Sequence, residues 1–386
     1  MSTPGSRTTH PLPDPSDQSV ATIVRDEKYY FFDGSVVILA GDRLFRIHQS
    51  LFELGSGFFR TLFSLPQGVD TEGDSRLIEG RSDENPIIFQ DTLDDFRALC
   101  WALYSRPPAI AAQLKLDTVD VSKLISVLAM SHKYDFPDLR TWCLDVLESH
   151  LVVSPASFIG KCGGWDNVGR VLELAQQCDR STLMRSIEQE WLQRISGSSK
   201  AEQISAFLGA LDVAEFSGGL RDFHGRAYYT YLKATGIFDA HPLCTTITID
   251  IGGAPSSYMN QDLDFLDAKR QLRIYKGFWS LSQLRLRLTQ APKLPDCPSC
   301  SNHTKTCIPA WQSRWNSILS EAEQQGRCLD DPGKLLGEVW NSLSRRPITI
   351  PHNNWSTIGC HRFIVEHLET MMRKFNGGIA EHFIVP

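Results

Sequence analysis

The clearest pattern along the chain is a pair of short apolar runs, Val36-Val37-Ile38-Leu39 and Leu44-Phe45-Arg46-Ile47, separated by Ala40-Gly41-Asp42-Arg43. Gly41-Asp42 is a Gly-first pair of the kind that closes a tight two-residue hairpin, so two antiparallel strands are predicted here. Leu51, Leu54, Phe58, Leu62 and Phe63 then share roughly one helical face. Ser50 and Glu53 have capping-box spacing and predict a helix start at Ser50, while Gly55 and Gly57 divide the segment into two short helices. A glycine-rich, acidic stretch from Pro66 to Asn85 reads as an exposed loop. Pro86-Ile87-Ile88-Phe89 reads as a short strand. Thr92 is the expected cap of a helix carrying Phe96, Leu99, Cys100, Leu103 and Tyr104, which Pro107-Pro108 ends. Val121, Leu124, Ile125 and Leu128 mark another helix, and Leu139, Trp142, Cys143, Val146 and Leu147 mark one more beyond Pro137. A hairpin, helices, a strand and then more helices predict an α+β domain, a small sheet flanked by helices.

The pattern then becomes helical. Ser154-Pro155 is a cap-plus-first-turn signal that opens a helical stretch to about Phe238. Within it Val171-Leu172-Glu173-Leu174-Ala175-Gln176-Gln177-Cys178-Asp179 echoes Val127-Leu128-Ala129-Met130-Ser131-His132-Lys133-Tyr134-Asp135, each followed by a Leu (Leu183, Leu139) and a Trp (Trp191, Trp142). A looser third copy starts at Leu211-Asp212-Val213-Ala214. Stacked helical hairpins, with Leu183, Ile187, Trp191 and Ile195 as a buried stripe, are one reading; amphipathic helices that merely look alike are the other. Farther on, Thr245 to Ile251 alternates like a strand, and Gln271 to Leu288 fits a helix or two strands.

Composition narrows the class. With 42% hydrophobic and 22% charged residues, the 386-residue chain has the balance of a soluble globular protein of two or three domains. Its net charge of −6 argues against a broad phosphate-binding surface, and no nucleic acid is expected even at the basic segment with Arg273, Lys276, Arg285 and Arg287. No apolar run reaches the roughly 20 residues that cross a bilayer, so no membrane association is expected. The first residues, rich in Ser, Thr, Pro and Asp, read as a disordered arm with no signal-peptide core. The ten cysteines are therefore expected to be reduced thiols in an intracellular protein, nucleus or cytoplasm undecided. Cys100, Cys143 and Cys178 read as small buried hydrophobes.

Catalytic constellations are not evident: there is no Gly-x-Ser-x-Gly elbow, Gly333-Lys334 lacks the rest of a phosphate loop, and Asp262, Asp264 and Asp267 read as an acidic turn. The chain is therefore expected not to be an enzyme, with an enzyme of unrecognised site as the remaining alternative. The sharpest chemical feature is Cys297-Pro298-Ser299-Cys300, followed by His303 and Cys307. Two thiolates two residues apart grip one tetrahedral ion, and a closed site needs four ligands. His303, Cys360 and His361 are the candidates to complete it, which makes a structural zinc the cofactor to consider. The alternative is a set of exposed or half-buried thiols ahead of a helix carrying Trp311 and Trp315.

The run Asp33-Gly34-Ser35-Val36-Val37-Ile38-Leu39, then Phe45-Arg46-Ile47-His48, then Ser56 to Phe63, and finally Leu128 to Leu151 with Lys133-Tyr134-Asp135, resembles a BTB/POZ domain. Ser82-Asp83-Glu84-Asn85-Pro86 and Phe63-Ser64-Leu65-Pro66 resemble the fungal, basidiomycete-type branch of that family. So, more weakly, do the last helix from His361 to Phe375 and the apolar tail Ile379 to Pro386. That pattern implies a second Cys after Cys360, where this chain has Phe363. The resemblance implies a protein-interaction module that self-associates as a homodimer or recruits a protein partner. It also implies that Asp33 and His48 are fold residues near the dimer surface. In some members a hydrophobic-x-Glu triplet contacts a cullin scaffold; Leu77-Ile78-Glu79 has that form, so a cullin-type ubiquitin-ligase adaptor is the alternative function. The expected organisation is an arm at 1–25, a BTB/POZ domain at 26–151, a helical extension at 152–240 and a mixed C-terminal region at 241–386.

Overall fold

The structure, a computed structural model, describes residues 23–65, 79–236, 263–297, 300–327, 329–346, 348 and 360–384. The chain forms two compact units, divided at Gly163/Gly164. The first unit runs β1 (Val24–Tyr30), β2 (Val36–Ala40), β3 (Arg43–Ile47), α1 (Gln49–Gly55), α2 (Gly57–Ser64), β4 (Ile87–Phe89), α3 (Leu93–Tyr104), α4 (Pro107–Ala112), α5 (Val121–Lys133), α6 (Pro137–Val153) and α7 (Pro155–Lys161). It is the expected α+β arrangement. The division lies beyond the expected Leu151 because α7 packs on α5 and α6.

The four-stranded sheet has the order β1-β3-β2-β4. β2 and β3 form the hairpin, with Ala40 paired to Arg43 and Val36 to Ile47. Gly41 has φ +60 at the first loop position, the left-handed conformation that glycine adopts without steric penalty. β1 lies parallel to β3 and β4 parallel to β2. Ile38, Phe45, Ile47, Phe52, Phe59, Phe96 and Leu99 are fully buried in one core, where the Phe45 and Phe96 rings meet edge to face at 4.7 Å.

Ser50 does not cap a helix. α1 begins one residue earlier, with His48 at the cap position and no side-chain bond there, and Glu53 instead accepts from Gln49 Nε2 (2.8 Å). The true cap in this region is Ser56, between the two short helices. Its Oγ accepts from the Phe59 N–H (3.0 Å) and donates to the Tyr134 carbonyl (2.5 Å), which ties α2 to the end of α5. Thr92 caps α3 as expected, accepting from the Asp95 N–H (3.2 Å). Asp26 is buried with Arg97 at 2.7 Å. Burial works to raise its carboxyl, but the Arg97 guanidinium and the Lys28 and Tyr29 N–H groups outweigh that and hold it below the usual range.

The regular elements of the second unit's described residues are helices: α8 (Trp165–Gln177), α9 (Ser181–Ile195), α10 (Lys200–Phe216), α11 (Arg221–Ala234), α12 (Ala268–Arg287), α13 (Ile308–Gln324), α14 (Pro332–Arg345) and α15 (His361–His382). The expected helical extension from Gly164 onward and the mixed region therefore belong to one compact body, while 152–163 belong to the first unit. α11 packs against α9, α10, α12 and α15. The stretch 271–288, open between helix and strands, lies in α12, and its Asp267 cap accounts for part of the acidic turn. Arg270 and Arg273 of this helix pair with Asp212 and Glu215, so part of the helix's basic charge is offset locally. The expected strand at Thr245 to Ile251 lies outside the described residues. No helix among the described residues is long and apolar enough to cross a membrane.

The sequence echo has a structural counterpart. Asp135 (φ 52) and Asp179 (φ 56) both adopt the left-handed conformation that ends a helix. The same bonds flank them: Phe136 N–H to the Ser131 carbonyl (2.9 Å) and Arg180 N–H to the Ala175 carbonyl (2.8 Å). Each repeat thus encodes one helix–turn–helix corner. The third copy does not share it, because α10 ends at Ser217 and its turn contains no residue of positive φ.

Burial also sets a pH response in this unit. The His224 imidazole is pushed down to about 4, first by burial, then by Arg273, Arg270 and Lys269 on α12, against Glu215 on α10. The unfolded chain, with an ordinary histidine near 6.5, takes up that proton first as the pH falls. Stability conferred by neutral His224 is therefore complete above about 6.5 and is lost as the pH drops through about 4, a loss of roughly 3 kcal/mol. His361, His367 and His382 are pushed the same way by burial. Comparing urea unfolding of the wild type with His224→Phe isolates this residue: the variant is expected to show the shallower fall between pH 7 and pH 4.5. Parallel losses would rule His224 out.

Candidate metal centre

After α12 the chain runs without regular structure to Cys297, then turns, with Cys300 N–H donating to the Cys297 carbonyl (3.2 Å). A single π-helical turn, His303–Cys307, leads directly into α13. Pro309 near the start of α13 tolerates this junction because a helix's first N–H groups have no partner within the helix. α13 is anchored by Trp311 and Trp315, both buried, whose indole N–H groups donate to the Pro292 and Leu288 carbonyls (2.9 and 3.1 Å). Cys360 arrives from far along the chain as the residue preceding α15.

These segments bring five ligand-type side chains together. Cys297, His303 and Cys360 form one group, and Cys300, Cys307 and Cys360 a second, with the ligand atoms in each within 4.8 Å of one another. Cys300 Sγ and Cys307 Sγ are 3.8 Å apart. Two thiolates on a tetrahedral zinc, each about 2.3 Å from the metal, stand about 3.8 Å apart. Cys307, Cys360 and His303 are buried, while Cys297 and Cys300 are half-buried, so the cluster is closed on one side by protein. The cluster can therefore hold a metal ion. Without one, burial pushes the Cys360 thiol well up, and the neighbouring thiols of Cys300, Cys297 and Cys307 push it further; burial likewise raises Cys307. Uncharged thiols in this setting are poor nucleophiles.

The local ligands expected from sequence, Cys297, Cys300, His303 and Cys307, all lie in this cluster. Of the two distant candidates the structure selects Cys360. His361 points elsewhere, its Nδ1 facing the Ile348 N–H at 3.5 Å. Phe363, which stands where the resemblance implies a cysteine, packs its ring edge-on to His303 at 6.1 Å. The eight described cysteines are all free thiols; Cys100 and Cys143 are fully buried as expected, whereas Cys178 is half-buried at the end of α8.

The remaining named residues sit in the first unit. His48 is engaged on both ring nitrogens, Nε2 with Asp33 (3.3 Å) and Nδ1 with the Tyr104 hydroxyl (3.0 Å), and its N–H also donates to that hydroxyl (2.9 Å). It thus joins the end of β3 to the β1–β2 connection and to the end of α3. Tyr104 has no sequence signal for this role, since a tyrosine ending an amphipathic helix reads as core. Burial pushes its hydroxyl up to about 12, so it remains a neutral donor. Of the triplet, Leu77 and Ile78 lie outside the described residues, and Glu79 is exposed in a turn whose Gly80 carbonyl accepts from the Val37 N–H (2.7 Å).

Fold and site together define a protein with an α+β N-terminal unit and a helical C-terminal unit that holds a metal-competent Cys/His cluster. Compared with known protein families, with curated proteins and with solved structures, the chain matches none.

Proposed function

We propose that this chain is a non-catalytic protein-interaction protein: a BTB/POZ-type first unit that self-associates, followed by a helical scaffold braced by a structural zinc ion. The observation that carries the interaction reading is apolar exposure on the consecutive helices α1 and α2. Leu54 is 84% exposed and Leu65, just past α2, 53%, while Phe52 and Phe59 of the same helices are fully buried. Single exposed apolar residues are common; what supports an interface is that Leu54, Phe58 and Leu65 lie exposed close together in sequence on helices whose Phe52 and Phe59 already fill the core. The Asp33–His48–Tyr104 arrangement supports a fold role for those residues, since both nitrogens of His48 are already occupied. The zinc reading is supported by the number, softness and burial of the sulfur ligands, which suit zinc over magnesium or calcium.

Light scattering tests the first part. The full chain at micromolar concentration is expected at twice its 43.4 kDa mass. Leu54→Asp changes an exposed residue and leaves the fold intact, and it is expected to weaken the dimer at least about tenfold, because a carboxylate would be buried against an apolar partner. A monomeric wild type at high micromolar concentration would exclude self-association. Metal analysis of the purified chain is expected to find one zinc per chain.

A further inference from the structure

Five side chains converge where four ligands close a zinc site, so one of them has another task. We infer that the zinc ligands are Cys297, Cys300, Cys307 and Cys360, and that His303 is a positioning residue that donates an Nδ1–H hydrogen bond to the Cys360 sulfur. This rests on the zinc reading above.

Three observations carry it. Cys360 is shared by both groups, one of which holds Cys297 and the other Cys300 and Cys307 with their sulfurs 3.8 Å apart, so Cys360 is where the four thiols meet. His303 Nδ1 lies 3.2 Å from Cys360 Sγ. That separation lets an Nδ1–H donor face the sulfur. His303 Nε2 is buried and has no hydrogen-bond partner among the described residues. A histidine that ligates zinc through one nitrogen almost always donates its other N–H to a carboxylate, carbonyl or water. Ligation through Nδ1 would place the proton on Nε2 and leave a buried N–H unpaired. With the proton on Nδ1, the unpaired atom is only a lone pair. The hydrogen bond also places a donor against a site that carries two negative charges once four thiolates surround a divalent ion.

The consequence is a cross-link. Zinc would join the turn before α13 to the start of α15, with His303 holding Cys360 in register before the ion arrives. Binding draws the two groups into one tetrahedron and releases the thiol protons to solvent.

Cobalt replacement in the full-length protein tests the assignment. Tetrathiolate cobalt shows a stronger thiolate-to-metal charge-transfer absorption, and visible bands at longer wavelength, than a three-sulfur, one-nitrogen site. The wild type is expected to give the tetrathiolate spectrum, and X-ray absorption at the zinc edge is expected to fit sulfur alone in the first shell. Cys297→Ser is expected to lower the charge-transfer intensity. His303→Gln is expected to keep the tetrathiolate spectrum while weakening affinity about 10–100-fold. A first shell containing nitrogen in the wild type overturns the assignment while leaving zinc binding in place, and needs no variant to fold. A wild type that takes up neither zinc nor cobalt overturns the zinc reading itself.

Discussion

A strong chelator is expected to lower the melting temperature of the C-terminal unit by roughly 10 °C and to leave the N-terminal unit's transition unchanged. The ion binds the folded unit and lacks a preformed site in the unfolded chain, so its binding free energy adds to folding stability. At free zinc a thousandfold above Kd that contribution is about 4 kcal/mol. For a unit spanning Gly164–Pro386, each kcal/mol corresponds to roughly 2–4 °C. The effect is confined because Cys297, Cys300, His303, Cys307 and Cys360 all belong to that unit, whereas the first unit has its own core around Phe45, Phe52, Phe59 and Phe96. The unit also has an apolar core of its own, in which Trp191, Phe207, Trp315 and Leu368 are fully buried, and it is expected to stay folded without the ion. Calorimetry with and without chelator, followed by zinc restoration, reads the shift. An unchanged transition after demonstrated loss of the metal would show that the ion is not structural. Cys360→Ser is expected to reproduce most of the chelator's effect, because Cys360 is common to both ligand groups.

Trp191→Ala is expected to destabilise the C-terminal unit by about 3–5 kcal/mol. Trp191 is fully buried and stacks on Trp165 at 4.9 Å, and it lies 5.3 Å from the Phe223 ring. Its indole N–H donates to the Ala206 carbonyl (2.8 Å) on the neighbouring helix. The substitution therefore removes aromatic contacts among α8, α9 and α11, opens a cavity and deletes a buried hydrogen bond. α10 cannot move in to fill the space without disturbing its own contacts, because Ala206, Phe207, Ala210 and Leu211 are already fully buried. Urea unfolding measures the loss. A change under 1 kcal/mol would mean that the helices repack freely around this position. Trp191→Phe is expected to recover about half the loss, keeping a ring but not the donor.

Much of this architecture was legible because it depends on neighbours in sequence. The β2–β3 hairpin follows from a Gly-first pair between β-branched runs, and the break between α1 and α2 from Gly55 and Gly57. The stripe Leu183, Ile187, Trp191 and Ile195 was readable from periodicity, and all four side chains are fully buried. The echo around Asp135 and Asp179 was visible as residue identity, but its meaning, two left-handed helix ends with matching hydrogen bonds, is a backbone property. Local reading failed where two local solutions compete. The Ser50 and Glu53 spacing is that of a capping box, yet the chain leaving β3 was already turning at His48, so the helix started one residue sooner. The segment 271–288 was ambiguous because its apolar residues fit more than one period. Its packing against α11, α14 and α15 decided for helix.

The metal-competent cluster divides along the same line. Sequence alone determined that Cys297, Cys300, His303 and Cys307 lie close together, because a short chain segment cannot carry them far apart. It left Cys360 and His361 as equal candidates, since adjacent residues have nearly the same distance from any earlier point. Only tertiary structure separated them: packing of α15 fixes which neighbour faces the turn, and it turns Cys360 inward and His361 toward Ile348. The same holds for His48. Its position at a strand end was determined by sequence, but its partnership with Asp33 and Tyr104 needed the sheet and α3 to meet. Short-range sterics and periodicity act through a few covalent links and are written in the residue order. Contacts between distant segments depend on how whole elements pack, and only the folded chain decides them.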